Sequence, residues 1–317
     1  MYKNIDWHIE LGKYNLFALE TCEIHSSVDL LADTATIVLP ATSLNKKLEI
    51  ESKIARGNTV LIQAGYDNKL ETEFEGFIDH INTDGGSVTI FCEDSLFLTR
   101  KPISDKQFKS TNLPELVAYV ASQVGGLTTD CDFNFTYDKF VISKATGYDV
   151  LKKLQEETKA NIYMKGSVLH VHPAYIEKFG EETYDFSVNI ERGNLSYKKA
   201  NEKKFLVEVE GIAKDGKRVT VKVGTPGGDK RSVKLYGVSS KAALTARGEE
   251  EIKRLSYDGY EGSFVGWLIP VVRPGYSCKI IDTEYPEKDG VYYVVAVTTT
   301  LSDSGGVRKI QPGKKLS

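Results

Sequence analysis

His170 and His172 stand two residues apart in "HVHP". On a strand, positions i and i+2 share a face, and two imidazoles so placed could hold zinc. No carboxylate or cysteine lies beside them in sequence to complete a ligand set. The plainer reading is two part-exposed rings at the end of a small hairpin. "GTPGGDKRS" (Gly224–Ser232) imitates a phosphate loop. That loop needs G-x-x-x-x-G-K-[ST] between a strand and a helix, so that backbone N–H groups converge on phosphate. Here Lys230 is out of place and the following "SVKLYGV" reads as strand, so a hairpin loop fits better.

Carboxylates crowd "ETEFE", "CEDS" and "RGEEEIKR", and two facing carboxyl groups would suit glycoside hydrolysis. Nothing singles out such a pair, and "GEEE" reads as the solvated side of a helix. There is no Gly-x-Ser-x-Gly elbow, no H-E-x-x-H and no Cys/His pair of useful spacing. Cys22, Cys92, Cys131 and Cys278 are far apart and form no C-x-x-C, as expected of reduced, mostly buried thiols in a chain folded in a cytoplasm. The seventeen tyrosines suit strands and interfaces equally. The residues therefore assign no catalytic group, no metal ligand and no cofactor. A chain that obeys local rules this closely points to an assembly role rather than an enzyme.

The elements that carry these residues are mainly strands. At about 100–150 residues per domain, 317 residues suggest two or three domains. The net charge of −3 shows no basic surplus for nucleic acid or anionic membrane, and no run reaches the ~20 apolar residues of a span. Through about residue 105 the chain alternates: Ala35, Ile37, Leu39; then Val60, Ile62, Ala64; then Val88, Ile90, Cys92. Turn signals at Asp67-Asn68 and Asp84-Gly85-Gly86 separate these runs. From 106 to 175 the sequence predicts a small α/β region. One helix is capped by Asn112, with Pro114 in its first turn and Gly125-Gly126 at its end, and a second starts at Thr146 with Asp149. A hairpin turning at Lys165-Gly166 follows. Beyond 176 come a hairpin turning at Asp215-Gly216, a helix capped by Ser240 with Leu244, Ile252 and Leu255 inward, and further strands.

Two stretches echo one another. From Arg56, "RGNTVLIQAGYDNKLETEFEGFIDHINTDGGSVTIF" runs basic residue, Gly, strand, polar turn, Gly, long strand, Gly-Gly turn, strand. From Arg273, "RPGYSCKIIDTEYPEKDGVYYVVAVTTTLSDSGGVRKI" repeats that order with different loop lengths. Length differences in loops cost little, because closure entropy grows only logarithmically. The pattern predicts a duplicated β module.

At this point the sequence resembles a known family. Pro274-Gly275 to Ile280, then Gly290, Tyr292, Val294 and Val297, then Gly305-Gly306 resemble the closing part of phage tail hub (baseplate hub) proteins. "ISKATGYDVLKKLQEETKANIYMKGSVLHVHP" is similar to that family's α/β insert, and "VSSKAALTARGEEEIKRL" to the helix before its final strands. The resemblance implies two related β-barrel domains in tandem with a small α/β insertion. The expected boundaries are 1–105 for the first barrel, 106–175 for the insert and 176–317 for the second barrel, with the hairpin at 204–223 assignable to either barrel. It further implies a homotrimer: a pseudo-hexameric ring joining a tail tube or distal tail protein to a central spike protein, in a phage virion tail or a type VI-like secretion device. Tape-measure protein and DNA would pass its channel only in transit, with no stable membrane insertion. A wall-polymer hydrolase and a monomeric carbohydrate-binding module are the rival readings.

Overall fold

A computed structural model describes residues 4–40, 53–84, 87–176, 179–213, 215–303 and 305–317. The expected Gly85-Gly86 turn lies outside them. The chain divides into two units. The first comprises residues 1–97, 177–195 and 261–317; the second comprises 98–176 and 196–260. The range 176–317 is thus shared between the two units, and the hairpin at 204–223 lies in the second.

In the first unit the chain begins with β1 (Ile5–Leu11), β2 (Tyr14–Asn15), β3 (Thr21–Ser27) and β4 (Thr34–Leu39). There follow β5 (Thr59–Tyr66), β6 (Lys69–Asp84) and β7 (Ser87–Glu93). Period-2 alternation decides which side is buried: Ala35, Ile37 and Leu39 are all nearly inaccessible, as are Val60, Ile62 and Ala64. Asp67 and Asn68 take positive φ of 54° and 61°, the two left-handed residues of a type I′ turn between Tyr66 and Lys69. Ile9, Leu11, Ile37, Ile62, Ile78 and Ile90 fill the core beneath these strands.

The second unit opens with β8 (Lys106–Phe108), β9 (Thr111–Asn112) and α1 (Leu113–Val124). The Asn112 side chain accepts the Glu115 N–H at 2.9 Å, the expected cap. β10 (Thr128–Cys131), β11 (Thr136–Tyr137) and β12 (Phe140–Ile142) lead to α2 (Gly147–Thr158). There Thr146 and Asp149 close a reciprocal capping box. β13 (Ala160–Lys165) and β14 (Val168–Pro173) form the expected hairpin, and β10 joins β14 in parallel.

The chain then passes through β15 (Glu181–Asp185) and β16 (Ile190–Lys198) before β17 (Phe205–Ile212), β18 (Arg218–Gly224), β19 (Asp229–Tyr236) and α3 (Lys241–Leu255). α3 lies close on β17 and β18 because Gly248 has no Cβ; one there would sit 2.8 Å from Val223. The chain ends in β20 (Gly259–Gly266), β21 (Ser277–Ile281), β22 (Gly290–Ser302) and β23 (Gly305–Lys315).

Two expectations for α3 need correction. Leu244 is buried, but Ile252 and Leu255 are only partly so. "GEEE" is not uniformly solvated either: Glu251 is 6% exposed, held by Arg247 at 3.0 Å and Arg254 at 2.6 Å. The helix buries an ion pair where the sequence suggested a charged outer face.

Burial also leaves the second unit a pH signature. Desolvation pushes the Glu157 carboxyl up to about 7 from an ordinary 4.5. A folded-state pKa raised in an acid means that the folded chain holds a proton the unfolded chain has released. Stability should therefore fall as pH rises from about 4.5 to about 7, and level off above. Glu157→Gln should flatten that decline by about 1–3 kcal/mol between pH 5 and pH 8 in urea unfolding.

Candidate assembly interface

Among the described residues, one thirteen-stranded sheet contains the strand order β16-β20-β23-β22-β3-β4-β7-β6-β5-β1-β2, with β21 pairing β22 and β15 pairing β21. Two sets of six strands within it share one plan. Read in space, the first is β3-β4-β7-β6-β5-β1 and the second β16-β20-β23-β22-β21-β15. Each strand of one set has a counterpart of the same rank in chain order in the other. One difference stands out: β1 joins β5 antiparallel, whereas β15 joins β21 in parallel.

The likeness extends to single hydrogen bonds. Asn58 N–H donates to the Ala55 carbonyl at 3.0 Å, around Gly57 at φ +88°. Tyr276 N–H donates to the Arg273 carbonyl at 3.1 Å, around Gly275 at φ +86°. Both have the third-position Gly that a type II turn requires. Gly57 N–H then donates to Ile78 and Ile78 N–H to Asn58, at 2.8 and 2.9 Å; Gly275 N–H donates to Val294 and Val294 N–H to Tyr276, at 2.9 and 2.8 Å. Each long strand carries β-bulge irregularity, between Ile78 and His80 in β6 and between Tyr292 and Ala296 in β22.

These bonds fix the register of the echo and correct it. Gly57 matches Gly275, so Arg56 matches Pro274 and Arg273 matches Ala55. At the far hairpin Asp84 pairs Ser87 and Ser302 pairs Gly305, positions 218 apart in each case. Gly305-Gly306 is therefore no counterpart of Gly85-Gly86; it forms the first two residues of β23.

The two sets meet where β22 pairs β3 antiparallel, from Ala296 opposite Ser27 to Ser302 opposite Thr21. β22 pairs β21 only as far as Tyr293, and β3 takes up the side that β21 has left. His25 Nδ1 meets Thr298 Oγ1 at 3.1 Å across this junction, and Val28 N–H donates to the Val295 carbonyl at 3.0 Å. Beside it a buried charge pair ties β6 to β23. The Arg308 guanidinium binds both Glu73 carboxylate oxygens at 2.9 Å, Thr299 Oγ1 at 3.1 Å and the Leu268 carbonyl at 2.9 Å. Arg308 is 2% exposed.

Among the described residues, the corresponding edges of the other halves carry no strand. β6 pairs β5 as far as Phe77 and β7 from there to Asp84, so the side of β6 that β5 leaves has no strand partner among the described residues. β16, the counterpart of β3, pairs only β20 among the described residues. Among the described residues, one junction is made within the chain, and the two halves of a second carry no strand.

The residues flagged from sequence lie elsewhere. His170 and His172 are on β14 in the second unit, where β10 and the turn after it bring Asp130 and Asp132 to them. Residues 225–228 connect β18 to β19, both strands, so they form no phosphate loop, but β17 lies between those two strands in the sheet and the segment is a crossover rather than the expected hairpin loop. All four cysteines are free, and burial pushes the Cys22 and Cys278 thiols up to about 12. Tyr137, Tyr184, Tyr292 and Tyr293 are fully buried core residues. Nothing in the sequence points to the Glu73–Arg308 pair, whose partners are 235 positions apart.

No protein-family model matches the chain, and no curated protein matches it in sequence. Solved structures do match. The 43 kDa tail protein of prophage MuSo2 from Shewanella oneidensis aligns over 98% of this chain and 97% of its own, with TM-score 0.64 and 14% identity. A tail protein from Neisseria meningitidis MC58 aligns over 97% and 96%, again with TM-score 0.64 and 14% identity. An E. coli component of the type VI secretion system, described as structurally similar to the T4 bacteriophage tail proteins gp27 and gp5, aligns over 98% of this chain and 77% of its own, with TM-score 0.62 and 11% identity. The chain is mainly β and has the fold shared by these phage, prophage and type VI proteins, so its sequence resemblance to tail hubs holds at the level of fold.

Proposed function

We propose that this chain is the hub subunit of a phage-type tail or a related injection device, built as a ring of three chains with six alternating β modules. The observation that carries the reading is a junction made once and, among the described residues, left without a strand once. Setting the side of β6 that β5 leaves in one chain against the outer edge of β16 in the next repeats the β22–β3 contact between chains. Such a contact is heterologous and must close on itself or run on as a filament; three copies give six module positions and a closed ring. Closure also hides strand edges that would otherwise pair at random.

A ring of this kind presents a sixfold face to a tail tube or distal tail protein and a threefold face to a central spike. Its channel would pass tape-measure protein and then DNA without holding either, in keeping with a net charge of −3. Its role in this reading is positional and non-enzymatic, in the virion tail assembled within the host cytoplasm. The similar structures, two tail proteins and a secretion-system component, support it. Light scattering should give about three times the 35.2 kDa chain mass, and electron microscopy should show rings with a central hole. A monomer at every concentration, with no rings, would count against the reading.

A further inference from the structure

We propose that Asp130, His170 and His172 form a binding site for a divalent transition-metal ion of the zinc type, with Asp132 as the residue that positions His172. β10, β14 and β13 form a three-stranded sheet in that order. Parallel pairing sets Asp130 opposite His170, and strand alternation puts His170 and His172 on one face.

Three ligand atoms converge on one point. His170 Nδ1 lies 3.1 Å from Asp130 Oδ2, His172 Nε2 lies 3.5 Å from His170 Nδ1, and His172 Nε2 lies 3.7 Å from the same Asp130 oxygen. Tetrahedral zinc with bonds of about 2.0–2.1 Å separates its ligand atoms by about 3.3–3.4 Å, the middle of that range. Octahedral cations with similar bonds would need edges nearer about 3.0 Å. Calcium and magnesium prefer sets made of oxygen alone. Two imidazoles and one carboxylate suit zinc and its neighbours.

The surroundings hold the rings in ligand geometry. His172 Nδ1 lies 2.6 Å from Asp132 Oδ1. Donating Nδ1–H to that carboxylate turns the Nε2 lone pair toward the other two ligands, the arrangement that commonly backs a metal-bound histidine. The Tyr163 ring stacks on His170, centroids 4.8 Å apart and 8° from parallel. The histidine side chains are 9% and 17% exposed, whereas that of Asp130 is 56% exposed. The site is thus walled on the imidazole side and open on the carboxylate side, where water would complete four ligands. β10 is four residues long and pairs only β14 among the described residues, so the ion would pin a short strand to its neighbour. A hydrogen-bonded cluster of the same four groups would also satisfy Asp130–His170 and Asp132–His172. It would leave two ring nitrogens facing one carboxylate oxygen, which a cation between them explains better.

The test uses the full chain stripped of metal by a chelator. Titration with Co²⁺ should produce the intense visible bands of a tetrahedral ion, saturating at one per chain and bleached by Zn²⁺. His170→Ala and His172→Ala should each weaken Zn²⁺ binding at least about 100-fold by calorimetry. Asp132→Asn keeps every ligand and should weaken binding about 10–100-fold with circular dichroism unchanged. Absence of saturable one-to-one binding would overturn the proposal, as would parent-like affinity in both His172→Ala and Asp132→Asn, since the ion would then sit elsewhere. The ring is a separate matter: its loss with metal binding intact, or the reverse, distinguishes the two readings.

Discussion

Arg308→Met is expected to destabilise the full chain by about 3–5 kcal/mol in urea unfolding, because it strands the Glu73 carboxylate in the core without its cation. Glu73→Met should cost a similar amount by leaving the guanidinium unpaired. The double change Arg308→Met/Glu73→Met should recover most of the loss, since no buried charge then remains. The second module's own counterpart supports that recovery. At the 218-residue offset fixed by the far hairpin, Arg308 corresponds to Ile90 and Thr299 to Ile81, so the same fold accepts apolar residues there. A coupling above about 2 kcal/mol in this cycle identifies the pair as one unit. Equal and additive losses would mean that Arg308 is held by Thr299 and the Leu268 carbonyl alone.

The second large effect is on assembly. Leu195→Pro in β16 should abolish ring formation at concentrations where the parent chain forms rings, with the fold of each chain retained. A Cβ added to Gly262 on β20 would lie 1.9 Å from the Asn194 carbonyl oxygen, so that carbonyl faces β20. Within a strand successive residues turn their polar groups to opposite sides, so the Leu195 N–H faces the open edge. Proline there removes a donor the chain's own ladder does not use and sets its ring in the path of an incoming strand. Losing about 2–4 kcal/mol per contact is about a 30- to 1,000-fold loss in affinity, repeated at three interfaces. Asn194→Pro is the contrasting variant: it interrupts the β20 ladder and should lower the unfolding midpoint of the chain itself.

Local features were legible in the sequence because their causes are local. The caps at Asn112, Thr146 and Ser240 and the left-handed Asp67-Asn68 turn follow from side chains acting on backbone within three or four residues. The buried faces of β4, β5 and β7 follow from alternation. The echo was legible as an order of elements, but its register was not. Matching Arg with Arg and Gly-Gly with Gly-Gly slid it by one residue at the first turn and by two at the second, because loops tolerate length changes that hydrogen bonds do not. Contacts between distant segments were hidden. Asp130 reaches His170 across 40 positions and Glu73 reaches Arg308 across 235. Glu251 looked solvated within "GEEE" because periodicity shows which residues share a helix face and says nothing of what Arg247 and Arg254 bring to it.

The most direct measurement is a cysteine pairing scan between chains. Asn82→Cys, on the second half of β6, is combined in turn with cysteine at Arg192, Gly193, Asn194 or Leu195 on β16, in a Cys131→Ser background. That background leaves only the thiols of Cys22, Cys92 and Cys278, all buried. Under mild oxidation at least one pairing should yield covalent dimers and trimers that run as closed rings, and each single cysteine variant should yield none. Oxidation that leaves every pairing monomeric, or that joins Asn82→Cys only to its own copy in another chain, would contradict a ring built by repeating the β22–β3 junction.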